Sequence, residues 1–201
     1  MFALVESGSI IKMLNGNRGI TIDGIQHPRA IYTLWTEAER NALGIYTVEY
    51  DNSNKKDERW YINTNQSYAF GSGKVTATYG TATAKAHADA NFTAQDETDG
   101  LGTEGELKSR GLKYKLIQDV KLEAANELAK TDWYVVRKTE EDTAIPSAIT
   151  THRRAVRSKA AAMETSITNA SDTPALETLY TYTTDSDGVQ SRPLAEIPTL
   201  E

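Results

Sequence analysis

Leu112-Lys113-Tyr114-Lys115-Leu116-Ile117-Gln118-Asp119-Val120-Lys121-Leu122-Glu123-Ala124-Ala125-Asn126-Glu127-Leu128 decides the fold class. Leu112, Leu116, Val120, Ala124 and Leu128 recur at every fourth position, and Ile117 widens the stripe. Over seventeen residues, too long for a typical strand, this spacing with Ile117 beside Leu116 predicts one apolar face of a helix. A second stripe follows Pro146, at Ile149, Val156, Ala160, Met163 and Ile167, with the proline where a first helical turn tolerates it. Two striped helices with a short connection predict an antiparallel αα-hairpin, each stripe buried on the other. Trp133 is expected to plug its end. In the connection, Val135-Val136 reads as a short extended piece and Thr139 to Ala144 as a polar loop. A third short helix is expected from Thr173, with Pro174 at its start, followed by a Gly188 turn and a proline-containing tail.

Upstream the period changes to two. Phe2 to Val5 and Ile10 to Leu14 are short apolar runs around Glu6-Ser7-Gly8-Ser9, which predicts a hairpin. Asn15-Gly16-Asn17 is a turn signal. Ile20, Ile22 and Gly24-Ile25 continue the alternation, as do Tyr46, Val48 and Tyr50, and Val75, Ala77 and Tyr79. β-Branched and aromatic residues of this kind suit half-buried strands. One short helix interrupts them: Thr36 and Glu39 have capping-box spacing, Leu43 faces the sheet, Gly44 suits the C′ position, and Trp35 covers the sheet edge. Asp51 to Arg59 reads as a polar loop. Trp60-Tyr61-Ile62 and Ser67 to Phe70 read as two strands of one hairpin, and Gly71-Ser72-Gly73 as a further break. From Thr81 to Gly105 large apolar residues thin out, and Gln95 to Gly105 is the best linker candidate.

The expected fold class is therefore α+β: a small antiparallel β-rich N-terminal domain followed by a C-terminal αα-hairpin with a short third helix. The expected bounds are 1–92 for the β-rich domain with its helix at 36–43, 93–105 for a linker, 106–182 for the helical region and 183–201 for an extended tail.

Composition narrows the function classes. The chain has 201 residues, no cysteine and a net charge of −6. Disulfides and cysteine-based chemistry are excluded. An acidic total gives no general attraction to nucleic acid or anionic membranes. No apolar run approaches the ~20 residues of a membrane span, and no basic leader precedes the first apolar stretch. The histidines, His27, His87 and His152, fall in three separate elements without zinc-helix spacing. Gly71-Ser72-Gly73-Lys74 lacks the glycine spacing of a phosphate loop, and Asp185-Ser186-Asp187-Gly188 lacks the later glutamate of a calcium loop. No catalytic constellation, cofactor motif or metal set is found, and a non-enzymatic binding role is expected. Arg153-Arg154-Ala155-Val156-Arg157-Ser158-Lys159 is the densest positive run and reads as a solvated face pairing with Asp119 and Glu123. Ten tyrosines against three phenylalanines favour amphipathic rings, which interfaces use for area with a polar handle. Trp35, Trp60, Tyr61 and Trp133 are the candidate partner-binding residues.

One stretch carries a resemblance. Leu128-Ala129-Lys130-Thr131-Asp132-Trp133-Tyr134-Val135-Val136-Arg137-Lys138 is followed by Ala144-Ile145-Pro146 and Thr151-His152-Arg153-Arg154-Ala155-Val156-Arg157. This order resembles the C-terminal region of tailed-bacteriophage tail fibre assembly proteins, with His152 where the pattern has tyrosine and Val156 where it has leucine. Phe2-Ala3-Leu4-Val5 and Leu34 to Tyr46 are similar to the first domain of such proteins. The resemblance implies a protein made in the host cytoplasm that binds tail fibre or other tail proteins. It is either retained in the virion tail or released as an assembly factor, with self-association open and no membrane or nucleic-acid partner. A receptor- or glycan-binding fibre-tip module is the alternative.

Overall fold

The computed structural model describes residues 1–200. It is mixed α and β, and it falls into two compact units, the first Met1–Thr83 and the second from Ala84 on.

The first unit contains β1 (Phe2–Glu6), β2 (Ser9–Leu14), β3 (Ile20–Ile22), β4 (Ile25–His27), α1 (Glu37–Ala42), β5 (Ile45–Asp51), β6 (Tyr61–Ile62), β7 (Ser67–Gly71) and β8 (Lys74–Thr78); β9 (Thr83–Ala84) lies at the boundary. Five strands form one sheet in the order β2-β1-β5-β8-β7. The edge strands β2 and β7 approach each other, so the sheet is curled. Three hairpins turn on a residue-glycine pair with positive φ at both positions: Ser7-Gly8, Asp23-Gly24 and Ser72-Gly73. Such turns match the natural twist of the strands they join.

Alternation along β1 explains the continuous apolar run at the N-terminus. Ala3 and Val5 point to a cluster with Val48, Val75 and Ala77. Leu4 points the other way, to Leu14, Ile31, Tyr32 and Ile45, with Phe2, Trp35 and Leu43 against them. Both faces of β1 are covered, so no polar alternation is needed. The capping box at Thr36 and Glu39 is present, and Gly44 follows the C-cap with φ +75. Gly44 also lies against β1, its carbonyl accepting from Val5 N–H at 2.8 Å.

Two expectations for this unit are corrected. Ser67 to Phe70 does not pair with Trp60-Tyr61-Ile62; β7 pairs with β8, and Gly71-Ser72-Gly73 is their turn. The sheet is also not purely antiparallel, because β5 and β8 run parallel, with Val48 opposite Val75. The pattern of apolar residues marks strands but not their partners.

The second unit begins with β10 (Ala90–Asn91) and β11 (Leu107–Ser109), which pair antiparallel around α2 (Ala94–Thr98). The expected linker at 93–105 is thus structured. Thr93 and Asp96 form a capping box, Lys108 binds Asp96 at 2.6 Å, and Gly102 lies so close to the Phe92 ring that a Cβ would approach it to 2.5 Å. Low apolar content there reflects a small element held by caps and one aromatic ring.

Two long helices follow, α3 (Leu112–Ala129) and α5 (Ser147–Asn169), with α4 (Asp132–Glu141) in their connection and α6 (Thr173–Tyr180) after them. Lys113 Nζ donates to Thr168 O at 2.9 Å, whereas Glu127 meets His152, so α3 and α5 are antiparallel. Leu116, Val120 and Ala124 of the first stripe, and all five apolar positions of the second, are buried. Val135-Val136 is helical, as part of α4, rather than extended. Gly111 seats the start of α3: its N–H donates to Asp89 at 2.8 Å, and an added Cβ would lie 2.3 Å from the Ala88 backbone. The C-terminal segment is not simply extended, since β12 (Thr183–Thr184) and β13 (Gln190–Ser191) pair and Leu194 and Ile197 are buried. Among the described residues no helix is long and apolar enough to cross a membrane.

Candidate interaction surface

The stretch that carries the sequence resemblance folds into a buried polar clamp with an exposed helix upon it. Helix α3 ends without a glycine, at Ala129, and Thr131 starts α4 almost at once. The last carbonyls of a helix lack internal partners and carry its negative dipole end. Arg153, from the facing side of α5, meets that need. Its Nη1 donates to Leu128 O at 2.8 Å and to Thr131 Oγ1 at 2.7 Å, and its Nη2 lies 2.8 Å from Asp132 Oδ1. Thr131 in turn donates to Leu128 O at 3.0 Å. Arg153 and Thr131 are 8% and 1% exposed, so the bond between them forms out of water, where charge-assisted hydrogen bonds are strongest, whereas the Asp132 carboxylate lies largely in solvent.

Beside the clamp sits a buried carboxylate, Glu127. Lys130 donates to its Oε2 at 2.5 Å, and Leu200 N–H and His152 Nε2 donate to its Oε1 at 2.9 and 3.1 Å. Led by Lys130, these donors hold its carboxyl below the usual range, so it remains an acceptor at neutral pH. Glu127 thereby ties α3 to α5 and to the C-terminal segment. The expectation of a solvated Arg153 face pairing with Asp119 and Glu123 is corrected: Arg153 is buried among carbonyl, hydroxyl and carboxylate oxygens, and Asp119 pairs with Lys115 on its own helix.

Helix α4 buries none of its residues, and only Tyr134 and Arg137 are half-buried. Trp133 is 51% exposed and Val136 52%, and they are three residues apart on one face. The Trp133 and Tyr134 rings lie 3.8 Å apart, and the Arg137 guanidinium sits 4.7 Å over the indole. Trp133 therefore does not plug the helical hairpin; it stands outside it, because the hairpin end is already filled by the Arg153 clamp. A ten-residue helix is marginal alone in water. Here the clamp holds its first turn.

The other candidate residues lie elsewhere. Trp60 and Tyr61 are 3% and 5% exposed, so neither ring offers an open face. Trp35 is half-buried on the core formed by Leu4, Leu14 and Ile45, with its ring edge-on to His27 at 5.8 Å, as befits a cover for that core. The surface on α4 adds Tyr134, Val136 and Arg137, which are not among the residues expected from the sequence. The available signal was Thr131-Asp132 ahead of ten residues without glycine or proline, which is a helix start. Among the described residues no three His, Asp or Glu side chains converge as metal ligands do.

Comparison of the chain with protein-family models, with curated proteins and with solved structures finds no match in any of the three.

Proposed function

We propose that the chain is a non-enzymatic tail protein of a tailed bacteriophage that binds tail fibre, or another tail component, through the Trp133–Val136 face of α4. It acts as a retained virion subunit or as a fibre assembly factor. The finer architecture in this reading is a β-rich module followed by an αα-hairpin module with a third short helix. The observation that carries it is an aromatic and apolar helix face, held at its first turn by the clamp and left exposed by the described residues of its own unit. Trp, Tyr and Arg are the residues that dominate interface energetics, and here all three adjoin. The resemblance of Thr131-Asp132-Trp133 and its flanks to fibre assembly proteins supports the partner class. Fibres rich in β structure fold slowly and expose strand edges meanwhile, which gives such a partner a physical use.

The test is capture of the encoding phage's fibre protein, co-expressed with the chain, by wild type and by a Trp133→Ala/Val136→Ala double variant. A central tryptophan contributes about 2 kcal/mol or more, so capture should weaken at least about thirty-fold with helical circular dichroism unchanged. Equal capture by the two proteins would remove α4 from the interface. Mass spectrometry of purified virions then separates the two roles: several copies per tail mean a retained subunit, and absence means a transient factor.

A further inference from the structure

The first unit holds a cavity of about 350 Å³ lined by residues 12–21 and Tyr32. That volume is at the low end for small-molecule sites and suits a ligand of about one ring. The lining contains Lys12 and Arg18 and no carboxylate. Neither cation has an ion-pair or hydrogen-bond partner among the described residues. Elsewhere this chain pairs its lysines readily, as at Lys74–Glu49, Lys108–Asp96 and Lys115–Asp119. In a protein of net charge −6, a concave patch with two uncompensated positive charges concentrates anions.

The wall is built rather than incidental. Gly16 has φ +69, and a Cβ there would lie 3.1 Å from the Phe2 ring and 3.4 Å from Tyr32. At Gly19 a Cβ would lie 2.4 Å from the His27 carbonyl oxygen. The loop therefore lies directly on Phe2, Tyr32 and β4, and larger residues would push it off. Tyr32 is buried, and its hydroxyl has no hydrogen-bond partner among the described residues. Asn15, Asn17 and Thr21 also line the cavity, and their side chains both donate and accept, as ligand hydroxyls require.

We propose that this cavity binds a small hydroxylated molecule bearing one oxyanion, a phosphate or a carboxylate, with Lys12 and Arg18 as the anion-recognising residues. Lys12 on β2 and Arg18 on the following loop are themselves exposed, so both can be altered without removing a core side chain. The site lies wholly within the first unit and is independent of the role proposed for α4.

The experiment is titration of the ¹⁵N-labelled full chain at constant ionic strength, followed by amide shifts. The probes are glycerol phosphate, glucuronate, inorganic phosphate and uncharged glucose. Saturable shifts confined to residues 12–21 with glycerol phosphate or glucuronate are expected, and the stronger of the two identifies phosphate or carboxylate as the preferred anion. The Lys12→Ala/Arg18→Ala variant should bind at least ten-fold more weakly, whereas a Lys115→Ala control should bind as wild type. Non-saturating shifts with both anionic probes, glucose binding as tightly as they do, or a double variant within two-fold of wild type would each overturn the proposal.

Discussion

Replacing Arg153 by alanine should unlock α4 from the helical unit. Three bonds are lost: that to Thr131 Oγ1, which is buried, that to Leu128 O, which is partly buried, and the ion pair to Asp132, whose side chain is 59% exposed. A hydrogen bond from a charged donor contributes about 1.5–3 kcal/mol, so the bonds to Leu128 O and Thr131 Oγ1 together come to at most about 3–6 kcal/mol. The exposed ion pair adds less than about 1 kcal/mol. Relief of the buried guanidinium's desolvation offsets part of this, and Thr131 still donates to Leu128 O at 3.0 Å. The net expectation is a loss of about 3 kcal/mol, a large share of the roughly 5–15 kcal/mol that holds a typical domain folded. Arg153→Lys should recover less than half, because one ammonium cannot span acceptors that a planar fork reaches together. Urea unfolding followed by far-ultraviolet circular dichroism reads the helical unit, and the slope reports any change in exposed surface. A double-mutant cycle with Thr131→Val should give a coupling of about 1 kcal/mol or more. An Arg153→Ala loss below about 0.5 kcal/mol would refute the clamp, since an Arg left solvated at that position would behave like other surface residues.

Further outcomes concern the other elements. Gly44→Ala should destabilise the first unit by about 2–3 kcal/mol, because φ +75 is strained for alanine and the new Cβ would lie 2.5 Å from the Val5 carbonyl; thermal unfolding checks it, and an unchanged melting temperature would deny the close approach. Asp96 is held at about 2, first by the Lys108 hydrogen bond and then by Thr93. Its folded pKa lies below its unfolded value of about 3.9. Its contribution is therefore complete above that value and is lost as pH falls towards about 2. Asp96→Asn should flatten the fall in melting temperature between neutral pH and that range, and a slope identical to wild type would contradict the assignment.

Local chemistry explains what could be read early. The capping box at Thr36, the C′ glycine at Gly44 and the four-residue stripes through Leu116, Val120 and Ala124 and through Val156, Ala160 and Met163 depend on neighbours one turn away. Helix α4 departs from the expected extended piece because the strand preference of the β-branched pair Val135-Val136 is outweighed by the helix start at Thr131-Asp132. The segment 93–105 has the composition of a linker because its order comes from caps and one ring rather than from an apolar run.

The binding candidates divide along the same line. Aromatic residues at Trp35, Trp60, Tyr61 and Trp133 are visible in the chain, but exposure is a property of the folded surface. Burial withdraws Trp60 and Tyr61, while Trp133 is left half in solvent. Arg153 shows the same dependence: its partners lie 21 to 25 positions earlier, and a basic run gives no sign of which member will be enclosed. The sequence by itself determined the mixed class, the two long helices, the first hairpin and the capped short helix, because each is encoded within a few residues. Tertiary structure alone decided that β8 pairs with β7 and runs parallel to β5, that Arg153 closes the end of α3, and that α4 stands outside the core. Those outcomes depend on which distant edges and carbonyls meet, and the periodicity of a single segment carries no information about its partner.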